Sequence, residues 1–440
     1  MERYESYKDS GVAWIGKVPS HWIHFRIKFC LSRSVAGIWG DDEKGNKDDI
    51  VCFRVADFDY SKGCLTFDKL TIRNVSAAQL LNRLLHDGDL LIEKSGGGDV
   101  TPVGRVVRFN YNDKAICSNF IHSISVKEGY SSNYLYYYFY GMYANKVNLL
   151  YFNQTTGIQN LKVGEYLSQK IYLPTLVEQQ AIAAYLDKRC SEIDKAIATQ
   201  QKRIALLQEL KQSIITRAVT QGIHPDVPLK ESGVEWIGKV PEHWEVMKTS
   251  LLYTNIGSGT TPSTSKQEYY EDDGFCWLQT GDLNDGYITD TSKKISKVAV
   301  KDYKLRFYPV GSIVIAMYGA TIGKIGLLKI PTSTNQACCV LPYSNKMNEM
   351  YAFYVCQIAK SQMLLEAVGG GQPNISQDII KKLKLPVPPL CEQQAIAVYL
   401  DGRCSEIDKA IATQQKRIAL LQELRQSVIK EAITGKIKVC

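Results

Sequence analysis

The sequence is poor in the features that mark a membrane, a metal site or a secreted scaffold. It has no run of about 18 apolar residues, so no membrane-spanning helix and no membrane partner is expected. Six histidines and the lack of any C-x-x-C pair give no indication of a zinc site. Twelve cysteines lie scattered along the 440 residues, as expected of reduced, packed thiols in a cytosolic chain rather than of a disulfide framework. The opening MERYESYKDSGV is charged and lacks the apolar core of a secretory signal, so a cytoplasmic protein is expected. Basic charge is in excess but not concentrated: 28 Lys+Arg stand against 23 Asp+Glu in 1–222, and 25 against 22 in 223–440. This excess suits a partner with phosphates, because each cation near DNA gains by displacing counterions. An apolar fraction of 45% and a charged fraction of 22% are those of a folded soluble protein, too long here for one ordinary domain.

Catalytic signatures are also missing. An amino-methyltransferase carries an Asn- or Asp-Pro-Pro-aromatic loop, whereas the only Pro-Pro here is Pro388-Pro389, followed by Leu390. A phosphate-cradling loop needs G-x-x-x-x-G-K-[ST]; Gly319-Ala-Thr-Ile-Gly323-Lys324-Ile325 has the wrong spacing and no hydroxyl after Lys324, so a strand-turn-strand is expected. Asp194 with Glu209 and Lys211 imitates a metal nuclease. On one helix, however, fifteen residues separate Asp194 from Glu209 by about 22 Å, too far to share a metal.

What is present is a duplication. Residues 178–210, EQQAIAAYLDKRCSEIDKAIATQQKRIALLQEL, recur at 392–424 with changes only at Ala184/Val398 and Lys188/Gly402. SGVAWIGKVPSHW at 10–22 returns as SGVEWIGKVPEHW at 232–244. Between the copies, 23–173 and 245–387 share a skeleton but little identity. Asp87–Glu93 and Val310–Ala316 read as buried strands after a glycine turn, Ser118-Asn119 is answered by Thr334-Asn335, and Thr155–Asn160 by Gly369–Asn374. The segments expected are therefore 1–22, a variable domain at 23–173, a helix within 174–222, the repeated motif at 223–244, a second variable domain at 245–387 and a second helix within 388–440.

The repeated segments carry a seam. Alternating +4/+3 steps land on Leu186, Cys190, Ile193, Ile197, Gln200, Ile204, Leu207, Lys211, Ile214 and Ala218, and in the second copy on Leu400, Cys404, Ile407, Ile411, Gln414, Ile418, Leu421, Arg425, Val428 and Ala432. That spacing makes a coiled-coil stripe needing an apolar partner. The other copy, in an antiparallel pair, is the expected partner, with a helix of another protein as the competitor. Gln200 and Gln414 either meet and set register or simply reach water. The fold class expected is α+β: two similar domains separated by two long helices in an antiparallel coiled coil, with pseudo-two-fold symmetry.

Candidate binding residues lie in polar, glycine-bearing loops, since glycine lets backbone approach phosphate while Gln, Asn and Arg read base edges. In the first half these are Arg54, Lys94, Ser95, Arg105, Gln154, Thr155, Thr156, Gln159 and Asn160; in the second, Ser258, Thr260, Thr261, Gln279, Thr280, Tyr318, Lys324, Gln372 and Asn374. Solvated loops have the same composition. The run Tyr134–Tyr140 and its counterpart Met350–Val355 are read either as base-stacking aromatics or as a packed helix inside each domain.

Glu178–Asp187 and its copy at 392–401, preceded by Leu173-Pro-Thr-Leu and Val387-Pro-Pro-Leu, together with the segments Trp14–Trp22 and Trp236–Trp244, resemble the specificity subunits of type I restriction-modification systems. The resemblance runs over essentially the whole chain. It implies two target-recognition domains that each read half of an interrupted double-stranded DNA site, and helices that space them and dock two methyltransferase subunits. It further implies that S-adenosylmethionine, ATP and magnesium serve the methyltransferase and motor-nuclease (restriction) partners, with no cofactor and no catalytic residue in this chain. Two other classes stay open: a coiled-coil adapter without sequence-selective DNA binding, and an unrecognised nuclease.

Overall fold

The computed structural model describes residues 2–98, 100–155, 157–369 and 373–439, without the side chain of Thr155. Four helices organise it: α1 (Ser132–Ala144), α2 (Leu176–Gln221), α3 (Glu349–Leu365) and α4 (Leu390–Ile433). The chain forms two compact units, 1–200 with 416–440, and 201–415. Each unit thus closes on half of α2 and the opposite half of α4, a division that the linear segmentation of the sequence does not show.

In the first unit, Leu31–Ala36, Ile121–Val126, Leu90–Glu93 and Val106–Arg108 form an antiparallel sheet in that order. Beside it Ala115–Cys117 runs parallel to Asp49–Phe53, which pairs antiparallel with Ile72–Asn74. The second unit repeats the plan. Gly257–Ser258, Cys338–Leu341, Ile313–Ala316 and Ile325–Leu328 lie in the same order, with Gly286–Ile288 added in parallel at the far edge. Ser333–Thr334 runs parallel to Tyr270–Leu278, which pairs with Lys293–Ile295. Leu90–Glu93 and Ile313–Ala316 are buried along their whole length, as the apolar runs after Gly88 and Gly311 predict.

The aromatic runs are core helices. Tyr134, Tyr136, Tyr137, Tyr138 and Phe139 of α1 are buried, as are Tyr351, Phe353 and Tyr354 of α3. Burial lifts the Tyr134, Tyr138 and Tyr351 hydroxyls well above their ordinary range, with the nearby Glu178 and Glu392 carboxylates adding to it at Tyr134 and Tyr351. Tyr134 donates to the carbonyls of Tyr172 and Ile433, and Tyr351 to those of Val219 and Pro386, tying each helix to the long helices.

The seam packs as an antiparallel pair. In the first unit Ile182, Leu186 and Cys190 of α2 share a core with Val428, Ala432 and Ile433 of α4, and Arg425 Nη1 lies 3.1 Å from Asp194 Oδ1. In the second unit Ile215, Ala218 and Val219 join Ile396, Leu400 and Cys404, and Lys211 Nζ lies 2.7 Å from Asp408 Oδ1. All the seam positions are buried or half-buried, including Ile193, Ile197, Gln200, Ile204, Leu207, Ile407, Ile411, Gln414, Ile418 and Leu421. Asp194 and Lys211 each belong to an ion pair between helices, the surface-charge role expected on a helix rather than a metal site.

The repeated Trp motif anchors the start of each long helix. Glu178, buried in the first turn of α2, accepts from Tyr4 Oη (2.7 Å), Trp22 Nε1 (3.3 Å) and His21 Nε2 (3.1 Å). Its counterpart Glu392 in α4 takes Trp244 Nε1 (2.9 Å) and His243 Nε2 (2.7 Å). A carboxylate at a helix start also favours the helix dipole.

Candidate nucleic-acid interface

One end of each sheet gathers the polar loops. In the first unit the N–H groups of Lys94 and Ser95, just past the buried central strand, both donate to the carbonyl of Phe120 (2.9 and 3.1 Å). Ser118 N–H donates to the carbonyl of Phe53 (2.8 Å), Ile38 N–H to Cys117 (2.8 Å) and Leu161 N–H to Lys94 (2.7 Å). Ser95 Oγ then donates to Asn160 Oδ1 (2.7 Å). Five loops far apart in sequence are stitched into one platform, with Arg54, Lys94, Ser95, Asn119, Phe120 and Asn160 on it.

The second unit uses the same stitches. Asn335 N–H donates to the carbonyl of Leu278 (3.0 Å), Met317 N–H to Ala337 (2.8 Å) and Ile375 N–H to Met317 (2.8 Å). Gln377 Nε2 reaches Ser258 Oγ at 2.9 Å, and Thr261 Oγ1 bonds Gln336 Oε1. Glycine is required where the loops touch. A Cβ on Gly37 would lie 2.3 Å from the carbonyl oxygens of Cys117 and Ser118, and one on Gly259 would lie 1.7 Å from that of Thr334.

Arg54 and Gln279 occupy one address on this plan. Each follows the strand that runs parallel to 115–117 or 333–334, and each precedes a three-residue 3-10 turn, Val55–Asp57 or Thr280–Asp282. Asp57 Oδ2 accepts Arg54 N–H (2.7 Å) and Asp282 Oδ2 accepts Gln279 N–H (2.8 Å), so the backbone is clamped the same way under different side chains.

Other sequence candidates fall elsewhere. Gln159 is buried, its Oε1 accepting from Val103 N–H (3.2 Å), so it braces the loop from within. Arg105 stacks over the Tyr60 ring at 3.5 Å and turns inward to pair with buried Glu93 (Nε–Oε2 2.9 Å, Nη2–Oε1 3.3 Å). Gln154 is exposed on a hairpin, opposite Gln159. Thr260 lends its carbonyl to Trp277 Nε1, and Thr280 opens the turn after Gln279. Lys324 closes the strand-turn-strand predicted for Gly319–Ile325, its carbonyl accepting Ala316 N–H (2.9 Å), while Tyr318 at the start of that turn is exposed. Asn374 bridges to Val368. Thr156 and Gln372 lie outside the described residues, as does the side chain of Thr155. Phe120, Gln336 and the exposed Trp39, stacked 4.5 Å from the Arg73 guanidinium, were not singled out from sequence, because a lone aromatic or amide there carries no periodic signal.

A family model described as "Type I restriction modification DNA specificity domain" matches residues 75–208 and 241–423. The chain belongs to that family. Two relatives from Methanocaldococcus jannaschii are the specificity subunits of the type I restriction enzymes MjaX, 30% identical over 278 residues, and MjaVIII, 28% identical over 313. These alignments cover 61% and 69% of this chain, and 60% and 70% of the relatives' lengths. The fold is that of a chain from a structure of type I R-M complex assembly and conformational transition (TM-score 0.73, 16% identity, 96% of this chain and 99% of that one). The HsdS subunit of Thermoanaerobacter tengcongensis is similar over 96% of this chain and 98% of its own (TM-score 0.51, 15% identity). As a specificity subunit the chain recognises DNA sequence and is not the catalytic component. Among the described residues no helix is long and apolar enough to cross a membrane, and no cluster of His, Cys, Asp and Glu fits a metal ion.

Proposed function

We propose that the two platforms read the two halves of an interrupted DNA site, within a cytoplasmic complex in which separate subunits carry out methylation and cleavage. The observation that carries this reading is the duplicated platform: matched backbone stitching holds different outward side chains, Arg54 against Gln279 and Asn119 against Gln336. A scaffold that only joined partners would gain nothing from holding the loops constant while varying what they present. Methyltransferase subunits binding S-adenosylmethionine, and restriction subunits using ATP and magnesium, supply the chemistry. A second duplicated feature fits two copies of such a partner. Leu206 and Leu210 on α2, and their repeat equivalents Leu420 and Leu424 on α4, are exposed beside the buried seam. The test is adenine-methylation mapping in cells carrying the partner methyltransferase with and without this chain. A split motif that appears only with the chain supports the reading; an unchanged methylome sinks it.

A further inference from the structure

We infer that Arg54 and Gln279 are the specificity-determining residues at one equivalent position of the two half-sites, Arg54 reading a guanine and Gln279 an adenine. This deepens the proposed function and rests on it. The argument begins with the clamp. Asp57 and Asp282 hold the backbone N–H of residues 54 and 279 at 2.7 and 2.8 Å, at the end of a strand paired in parallel with 115–117 or 333–334. The next backbone bonds are also matched, Ser118 N–H to Phe53 and Asn335 N–H to Leu278. The two side chains therefore leave the same rigid corner, and whichever groove edge one meets in its half-site the other meets in its own.

The side chains are prepared differently. Arg54 gives one edge of its guanidinium to Asp57, with Nη2 at 2.9 Å from Oδ1 and Nε at 3.3 Å from Oδ2. That contact orients the fork and holds its pKa above the ordinary value. It uses two of five donors, leaving the outer Nη1/Nη2 edge, whose two parallel N–H groups match the O6 and N7 acceptors of guanine. Gln279 is half-buried, and its amide has no charged partner to hold it among the described residues. One donor and one acceptor side by side match N7 and N6–H of adenine. Asp282 clamps only the backbone here, because an amide needs no counter-charge.

The experiment uses the full chain assembled with its methyltransferase subunits, as wild type, Arg54→Gln and Gln279→Arg, and reads the methylated motif genome-wide. Arg54→Gln should change preference at one base pair of one half-site from G·C toward A·T and leave the other half intact. Gln279→Arg should do the reverse in the other half. Retained methylation at an unchanged motif overturns the assignment. Should either variant fail to assemble, the wild-type complex is titrated with duplexes in which single purines are replaced by 7-deazapurines, which lack N7. Weakening by about 10-fold or more at one guanine of one half-site and one adenine of the other, the scale of a lost bidentate contact, is expected; no sensitive purine in either half overturns it. A wild-type complex that methylates without sequence preference defeats the proposed function itself, an outcome distinct from a sequence-specific complex indifferent to residues 54 and 279.

Discussion

The buried carboxylates at the helix starts make a clear residue-scale case. Glu178 satisfies Trp22 Nε1, whose ring is fully buried, and Tyr4 Oη at the same time. Glu178→Ala leaves the indole N–H unpaired and is expected to cost about 1–3 kcal/mol in urea unfolding. Glu178→Gln, which keeps an acceptor, should recover part of that loss; equal losses for both variants would show that the hydrogen bonds are not what stabilises this corner. His122 supplies a pH test. Burial, with the Lys94 charge adding, holds its imidazole down at about 4, while Ser34 Oγ lies 2.8 Å from Nε2. The unfolded chain, with an ordinary value of about 6.5, then binds the proton that the folded chain refuses. Stability contributed by neutral His122 is present above pH 6.5 and falls as pH drops toward 4. His122→Asn should flatten that part of the stability curve relative to wild type, and parallel curves would refute it.

At the scale of the element, the two long helices offer an internal control, since Lys211 and Arg425 hold the same position of the repeat. Arg425 is mostly buried, paired with Asp194 and 5.7 Å from the Tyr140 ring, whereas the Lys211–Asp408 pair is more exposed. Arg425→Ala should therefore destabilise by about 1–3 kcal/mol, through lost packing and a stranded carboxylate. Lys211→Ala should cost less than about 1 kcal/mol, as exposed pairs do. Equal effects would mean that burial does not distinguish the two. The exposed leucines test docking separately. Leu206→Glu with Leu420→Glu should leave the unfolding midpoint of the isolated chain within experimental error and abolish co-purification of the methyltransferase subunits; intact co-purification would assign docking to another face.

For the whole molecule, the division of each long helix between two units has a direct consequence. A chain ending near Gly222 lacks Val428, Ile429, Ala432 and Ile433, which complete the first core. It retains Ile215, Ala218 and Val219, which hold the equivalent repeat positions and fill the same role in the second core. Two such fragments should exchange these segments and form a dimer by light scattering, reading a palindromic split site with the methyltransferase. A folded, strictly monomeric fragment would count against this exchange.

The local order of this protein was legible in its residues. The +4/+3 seam, the buried strands after Gly88 and Gly311 and the turn before Lys324 all follow from periodicity, glycine placement and repeat length, properties of short stretches of chain, whereas the aromatic runs, open between base stacking and core packing, were settled by their burial. The duplication likewise implied one plan used twice. Only the tertiary structure decided that each unit takes half of each long helix, because that depends on which seam finds which partner. It also separated Arg54 and Gln279, clamped at one address, from Gln159 and Arg105, which have the same chemistry but turn inward to Val103 and Glu93. Polar side chains of one type look alike in sequence. Whether such a group faces water or a buried N–H is set by strands distant in the chain, and so is decided only when the sheet assembles.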